Sequence, residues 1–177
     1  MDDQTTLGIG SPNIRVLVSE QAYDGFDARR HALSRTYRYR VHTRPVASPF
    51  ERGFALHEPR ALNEDALRAC AEALVGTHDF TAFTPTETDH VRFSRDVFRA
   101  EWGRESADVL AFWIEADTFM RHMVRTLVGS MLAVARGRFD LDWFTDLLEG
   151  APREEAADTA PPQGLYLESV KYPTAAS

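Results

Sequence analysis

Apolar and polar residues alternate in several short stretches of this chain, a pattern typical of strands with one buried face. In SRTYRYRVHT, which begins at Ser34, two tyrosines and a valine share one face, while two arginines and a histidine share the other. NIRVLVSEQA, from Asn13, alternates less regularly. The stretches FSRDVFRAEWG and DVLAFWIEAD, joined by the polar RESA, predict an antiparallel hairpin, and LYLESVKYP, which ends at Pro173, predicts a last strand.

A helical spacing of apolar residues marks three further segments. The first runs from Asn63, a residue suited to the N-cap, to Val75, and Gly76 is placed to end it. The second is FMRHMVRTLVGSMLAVAR, from Phe119 to Arg136, and the third is the shorter LDWFTDLLEG.

The resulting order is strand, strand, helix, strand, strand, helix, helix, strand. Neighbouring strands with hairpin-like connections predict an α+β fold, with a mainly antiparallel sheet and helices packed on one face. We expect one domain over residues 13–173, a polar leader at 1–12 and a short tail at 174–177. The leader has no signal-peptide pattern and no apolar run is long enough to span a membrane, so we expect a cytoplasmic protein.

Arg125 lies in the middle of the second predicted helix, which is apolar on nearly every side. Arg121 and Gly129 lie four residues away in either direction, so the three residues are predicted to share one face. A guanidinium removed from water is costly unless an anion meets it, which predicts a carboxylate or phosphate partner. An ion pair with a nearby acid, such as Asp117 or Glu115, is the alternative. Gly129 would leave room for another backbone or for a ligand.

The net charge of −7 argues against a nucleic-acid partner, yet the charges are unevenly distributed along the chain. No acidic residue occurs between Asp27 and Glu51 or between Asp117 and Asp140. These two windows hold six and four, respectively, of the 20 lysines and arginines. Such sorting favours a local anionic ligand, and a solvated arginine-rich face is the other interpretation.

Tyr37 and Tyr39 alternate with arginines in RTYRYR. Cations that contact phosphates and rings that stack on unpaired bases are what single-stranded RNA requires. RNA binding is therefore one hypothesis, and a pair of core tyrosines is the other. The chain lacks a dinucleotide-binding loop, a Walker motif, a zinc-protease helix and a serine elbow. Its only cysteine, Cys70, is predicted to fill the core.

Four separated segments resemble TruA-type tRNA pseudouridine synthases, in the same order and with similar spacing. They are GFDARRHALSRTYRYRV, GTHDFTAF, FMRHMVRTLVG and TAPPQGLYLESVKYP. The resemblance runs from about Asn13 to Pro173 and implies the later part of that family's fold. It also implies an isomerase that needs no metal or organic cofactor, acts on uridine in the anticodon stem-loop of tRNA, and forms a homodimer.

By this resemblance, Tyr37 and Arg125 are the catalytic residues of the chain. Tyr37 would stack on the flipped uracil and assist the loss of its carbon-bound proton, and Arg125 would pair with the family's essential aspartate. A cation beside a carboxylate lowers its pKa, so the arginine would keep that aspartate ionised. Six further residues would contact RNA phosphates or support the site: Arg29, Arg35, Arg38, Tyr39, Arg121 and His122.

The family's aspartate belongs to a glycine-arginine-threonine-aspartate-alanine-glycine-valine motif that this sequence does not contain. Asp2, Asp3, Asp24 and Asp27 have different neighbours. We therefore expect this chain to correspond to the carboxy-terminal part of the family's catalytic chain and to be inactive alone. The alternatives are a non-catalytic RNA-binding or assembly module of the same fold, and a structural domain whose arginines pair internally.

Overall fold

The structure, a computed structural model, describes residues 16–88 and 91–173. The chain divides into two compact units, one that ends at His31 and one that begins at Ala32. All the strands and helices described below belong to the second unit.

The predicted strand that begins at Asn13 is wrong over the part that the structure describes. Residues 16–22 form no strand, and Leu17 is 91% exposed. An alternating pattern becomes a stable strand only when a neighbouring strand pairs with its backbone and a core covers its apolar face. The predicted leader at 1–12 and the tail at 174–177 lie outside the described residues, and the domain bounds remain a prediction.

Within the described residues the chain forms six strands and three helices. The strands are β1 (Ser34–His42), β2 (Leu56–His57), β3 (Gly76–Asp79), β4 (Ser94–Ser106), β5 (Val109–Ala116) and β6 (Leu165–Lys171). The helices are α1 (Glu64–Ala73), α2 (Met123–Ala135) and α3 (Leu141–Asp146). Three 3-10 turns also occur, at Thr81–Phe83, Arg153–Glu155 and Pro162–Gly164, and the last of these leads directly into β6.

The strands of this unit form one sheet in the order β2-β1-β5-β4-β3, and β6 pairs with β1. Each pairing is antiparallel except the short parallel one between β1 and β2. The predicted hairpin is formed by β4 and β5, so the α+β class with a mainly antiparallel sheet is confirmed. Strands β2 and β3 were not predicted, because two and four residues are too few to show an alternation.

One face of the sheet carries the core. Tyr39 and Val41 of β1 and Phe112 and Ile114 of β5 are fully buried on this face, together with residues of all three helices. Cys70 of α1 is also fully buried, which confirms that it fills the core. The helices therefore cover the face on which the tyrosines of β1 lie.

The second predicted helix begins later than its apolar pattern indicates. α2 starts at Met123, and His122 before it has a left-handed backbone with φ of 63°. A right-handed helix cannot continue through this conformation, and the Met123 N–H donates to the Met120 carbonyl at 3.2 Å in a turn. Arg121 therefore lies in the loop before α2, which corrects its predicted place on the helical face of Arg125.

The other two helices begin at polar caps. The side chain of Asn63 accepts a hydrogen bond from the Ala66 N–H at 3.1 Å, as predicted for α1. Asp140 accepts from the Trp143 N–H at 2.9 Å and caps α3. Each cap satisfies a backbone N–H that has no partner inside the helix. α3 is shorter than predicted and ends at Asp146.

Candidate active site

A cleft of about 360 Å³ opens between β1, the loop before α2 and the start of β6. Its volume is at the lower end of the range of small-ligand pockets, about 300–1,000 Å³. Tyr37 of β1, Arg125 of α2 and Leu165 of β6 line it, and the loop from Phe119 to His122 completes the wall. The fold thus brings together Tyr37 and Arg125, the two residues predicted to be catalytic.

Tyr37 presents an aromatic ring in this cleft. The residue is half-buried, and its ring meets Phe119 edge-on, with centroids 5.0 Å apart and planes at 84°. Such an edge contact is a favourable aromatic geometry that restrains the ring. The pairing with β6 has a bulge after Thr36, and the extra residue, Glu168, lies in β6. A ring placed in this way is suited to stacking on a base.

Arg125 is held by a backbone carbonyl and not by an acid. Its Nε donates to the Ala160 carbonyl at 2.6 Å, and the Ala160 N–H donates to the Arg125 carbonyl at 3.0 Å. Within residues 16–88 and 91–173 no Asp or Glu forms a salt bridge with this half-buried guanidinium. A cation in a cleft without a counter-charge is a site for an anion.

The two acids considered as local partners of this guanidinium are engaged elsewhere. Glu115 accepts from Ser34 Oγ at 2.6 Å and pairs with Lys171 Nζ at 2.7 Å. Lys171, and then Ser34, lower the pKa of Glu115. Asp117 accepts from the Asp96 N–H at 3.1 Å. The alternative of an ordinary local ion pair is therefore wrong for these two acids.

The loop of residues 157–161 lies against α2 beside Arg125. A Cβ added to Gly129 would lie 1.9 Å from the backbone oxygen of Asp158. The sequence predicted that Gly129 would leave room either for another backbone or for a ligand. In the structure it is a backbone, that of Asp158, that lies against Gly129. The loop in turn supplies the carbonyl of Ala160 that holds the guanidinium.

The rim of the cleft is cationic. Arg121 and His122 are exposed there, and within the described part of the chain Arg121 has no acidic partner. Partial burial, followed by the charges of Arg125, Arg121 and Arg153, lowers the pKa of His122. The sequence did not indicate Arg153 as a site residue, because the two glutamates that follow it make the local net charge negative. The fold nevertheless brings its positive charge close enough to act on His122.

Arg35 connects two backbone segments. Its Nη1 donates to the Asp117 carbonyl at 2.8 Å and to the Ala32 carbonyl at 3.2 Å. These bonds hold the point at which the chain leaves β5 and turns toward the cleft loop. The predicted RNA contact of Arg35 stays a prediction.

Arg38 does not present a free cation, which argues against its predicted role as a phosphate contact. It pairs with Glu105 at 2.5 Å and with Glu168 at 2.6 Å, and its guanidinium lies 5.0 Å from the ring centre of Tyr166. Arg40 shares Glu105 at 2.8 Å. A phosphate would have to displace these carboxylates, and their charge would repel it.

Tyr39 does not reach the surface, so of its two predicted roles, RNA contact and support of the site, its burial favours the second. Its side chain is fully buried, and its hydroxyl donates to the Pro161 carbonyl at 2.7 Å. Burial raises the pKa of Tyr39 above its usual value. The residue therefore supports the site from within, because it holds the loop that bonds Arg125.

Arg29 belongs to the first unit and is exposed. Its N–H donates to Asp27 Oδ1 at 2.9 Å, and the Arg30 N–H donates to the same oxygen at 2.8 Å. These two bonds form a turn that is capped by the Asp27 side chain. The predicted RNA contact of Arg29 stays a prediction.

Two kinds of feature are absent from residues 16–88 and 91–173. No three side chains of His, Cys, Asp or Glu are arranged to hold a metal ion. No helix in those ranges combines the length and the apolar character needed to cross a bilayer.

Comparison with known proteins gives one consistent result. A sequence profile of the family described as tRNA pseudouridine synthase matches residues 70–173, which include Arg125 but not Tyr37. Proteins named tRNA pseudouridine synthase A are similar to this chain over most of its length. They include one of Burkholderia multivorans, 40% identical over 164 residues, and one of Bacillus pumilus, 38% identical over 160 residues. Another, of Myxococcus xanthus, is 34% identical over 165 residues.

These alignments cover 92%, 90% and 93% of this chain, in the same order, but only 60%, 64% and 62% of the relatives. The chain thus spans less than two thirds of the length of the curated relatives it matches. The profile match alone extends over more than half of the chain. The chain belongs to the tRNA pseudouridine synthase family.

Proposed function

We propose that this chain forms the part of a tRNA pseudouridine synthase that receives the flipped uridine and orients the catalytic aspartate. The observation that carries the proposal is the cleft shared by Tyr37 and Arg125, in which the arginine has no carboxylate partner among the described residues. The names of the relatives describe them as tRNA pseudouridine synthases. The proposed substrate of this chain is therefore tRNA, and the proposed region of modification is the anticodon stem-loop.

The reaction is an isomerisation and needs no co-reactant. The bond between ribose C1′ and uracil N1 breaks, the uracil turns, and a new bond joins C1′ to C5. The proton on C5 is lost and N1 gains one, so the atoms balance within the nucleoside. The aspartate that acts on the separating fragments belongs, in this proposal, to a segment outside the residues matched here, because the sequence lacks its motif.

Tyr37 and Arg125 have distinct roles in this proposal. Extruding a base costs a few kcal/mol, and stacking on an aromatic ring returns about 1–3 kcal/mol per base. Tyr37 supplies that ring. Arg125 supplies a fixed positive charge that lowers the pKa of the aspartate and keeps it ionised beside the ribose.

The cationic rim is proposed to hold the RNA backbone. Arg121 and His122 lie next to the cleft, and a phosphate there would meet no competing acid among the described residues that line it. Arg29 and Arg35 are further candidates from the sequence. We also propose that the complete enzyme acts in the cytoplasm as a homodimer, as the family resemblance implies.

The test is conversion of uridine to pseudouridine in an unmodified tRNA transcript. Two proteins are compared: this chain, and a chimera in which the part of the Burkholderia multivorans relative that precedes the matched residues is placed before it. We expect turnover by the chimera only, and loss of that turnover in Arg125→Ala and Tyr37→Ala variants. Turnover by this chain alone would refute the proposal that it is catalytically incomplete.

The sequence does not contain the aspartate motif, and this favours a second candidate function, that of a non-catalytic RNA-binding or assembly module. It predicts salt-sensitive tRNA binding by this chain and no turnover by the chimera. A structural domain without a nucleic-acid partner predicts no tRNA binding and no turnover. The same transcript, used in a binding titration and in the turnover assay, separates the three.

A further inference from the structure

We propose that the 157–161 loop positions the Arg125 guanidinium, and that Gly129 is the positioning residue that allows it to do so. The inference rests on the proposed function for what Arg125 binds, whereas the geometry depends only on the contacts between the loop and α2. In this view Arg125 binds the anion, and Gly129 positions Arg125 through the loop.

The loop is bonded to α2 at successive residues. Ala160 exchanges two hydrogen bonds with Arg125, one to the side chain at 2.6 Å and one to the backbone carbonyl at 3.0 Å. The hydroxyls of Thr126 and Thr159 lie 3.0 Å apart, and Thr126 is fully buried. A loop held by this many bonds presents its carbonyl to the guanidinium in one position.

Gly129 is the residue that permits this approach. An added Cβ would lie 1.9 Å from the oxygen and 3.1 Å from the carbon of the Asp158 carbonyl group. Both atoms are backbone, so no flexible side chain could yield and the loop itself would have to move. Ser130, the next residue, accepts a hydrogen bond from the Ala157 N–H at 3.3 Å, so the loop is held on both sides of the contact.

The sheet holds the far end of the loop. The buried hydroxyl of Tyr39 donates to the Pro161 carbonyl at 2.7 Å. A Cβ at Gly164 would lie 2.7 Å from the Arg40 carbonyl oxygen and 2.8 Å from the Tyr39 ring, so the chain beyond the loop also packs closely on β1. The loop is therefore fixed between α2 and the sheet.

This fixation determines how an anion can reach Arg125. A guanidinium offers two edges for bidentate bonding, one side-on through Nε and one Nη and one end-on through both Nη atoms. Ala160 already takes the Nε–H. A bidentate carboxylate must then bind end-on, through both Nη atoms. The loop therefore sets the direction from which the catalytic aspartate approaches the guanidinium.

A double-mutant cycle in the form of the enzyme that turns over tRNA tests the idea. We expect Gly129→Ala to lower kcat by about a hundredfold, as a small displacement of a reacting group can do, with little change in KM. We expect Gly129→Ala to cost no more than about a further twofold when Arg125 is already replaced by Lys, because coupled residues are not additive. Equal losses in both backgrounds, or a loss confined to KM, would overturn the proposal.

Gly103→Ala is the matched control. Its Cβ would meet the Trp113 ring at 3.4 Å, an ordinary contact, and Gly103 lies in β4 and not in α2. We expect kcat within about twofold of the parent. A loss as large as that of Gly129→Ala would mean that any added methyl group harms the enzyme, and the proposal would fail.

A second measurement uses this chain and does not require turnover. In ¹⁵N-labelled protein the Arg125 Nε–H should exchange slowly with solvent because it is bonded to Ala160. The double variant Tyr39→Phe/Thr126→Val removes two bonds to the loop without lengthening either side chain, and we expect its Nε–H to exchange at least about tenfold faster. Unchanged exchange in a folded variant overturns the positioning role. Faster exchange together with an inactive chimera sustains the positioning and rejects the proposed function.

Discussion

At the scale of single residues, Arg38 and Arg125 are two arginines with opposite environments. Arg38 pairs with Glu105 and Glu168, so its charge is balanced by carboxylates from β4 and β6. Arg125 has a backbone carbonyl and no carboxylate within the described part of the chain. A carbonyl dipole orients a guanidinium but leaves its charge in place, so only the second arginine remains available to an incoming anion.

Arg121, which has no acidic partner within the described part of the chain, and Arg38, which has two, should differ in their effect on salt dependence. Arg121→Gln should weaken tRNA binding and reduce the slope of log K against log salt by about one, because one phosphate contact releases one counterion fewer. Arg38→Gln should leave the slope unchanged, since its charge is already neutralised. Fluorescence titrations of a labelled transcript at several salt concentrations measure both. A slope reduced equally in the two variants would contradict the assignment of Arg38 as an internally paired residue.

His122 predicts a pH dependence of stability. Burial, then Arg125, Arg121 and Arg153, lower its pKa in the folded chain, while the unfolded chain protonates it near the ordinary value of about 6.5. As pH falls below that value, the unfolded state therefore binds more protons and the free energy of unfolding decreases. Denaturant titrations at pH 7.5 and pH 5.5 should show a smaller decrease in His122→Gln. An identical decrease in both proteins would mean that His122 is not the residue responsible.

At the scale of elements, β1 and the start of α2 show what a local pattern conveys. The alternation in SRTYRYRVH correctly placed the tyrosines of β1 on one face, and the structure shows that this is the core face. The basic residues of the opposite face were correctly placed, but Glu105 lies 67 residues from Arg38 and could not be paired with it from local sequence. The apolar run before Met123 likewise concealed a loop, because a left-handed backbone at His122 leaves no trace in hydrophobic spacing.

The N-cap of α1 gives a test at this scale. Asn63→Ala should lower the free energy of unfolding by about 1 kcal/mol, because it removes the acceptor of the Ala66 N–H and leaves that group without a partner in the helix. Asn63→Asp is the matched control and should keep most of that stability, because its carboxylate accepts the same bond and suits the helix N-terminus. Equilibrium denaturation with urea measures both. Equal destabilisation by the two substitutions would contradict the capping role.

At the scale of the whole molecule, the unit that begins at Ala32 has one core between the sheet and its three helices. The cleft lies where β1, the loop before α2 and β6 approach one another. Tyr37 and Arg125 are 88 positions apart by their numbers, and only the pairing of β1 with β5 and the packing of α2 bring them to one site. Stability of this unit and integrity of the site should therefore be lost together.

Cys70 reports on this cooperativity. Its side chain is fully buried, and burial raises the pKa of its thiol to about 12, so at pH 8 it should react with a thiol reagent only when the unit opens. We expect the labelling rate to rise with denaturant in parallel with global unfolding measured by fluorescence. Rapid, stoichiometric labelling without denaturant would show that the core around α1 opens independently of the rest.

The sequence by itself determined the elements and their faces: the two-sided β1, the capped α1, the hairpin of β4 and β5, and an arginine set among apolar residues in α2. These features follow from side-chain periodicity and capping, which act over a few residues and are therefore visible locally. Tertiary structure alone decided which arginines are neutralised, that Tyr39 is buried, and that Gly129 admits the loop that holds Arg125. Those outcomes depend on carboxylates and carbonyls distant in the chain, and only packing sets how close they come.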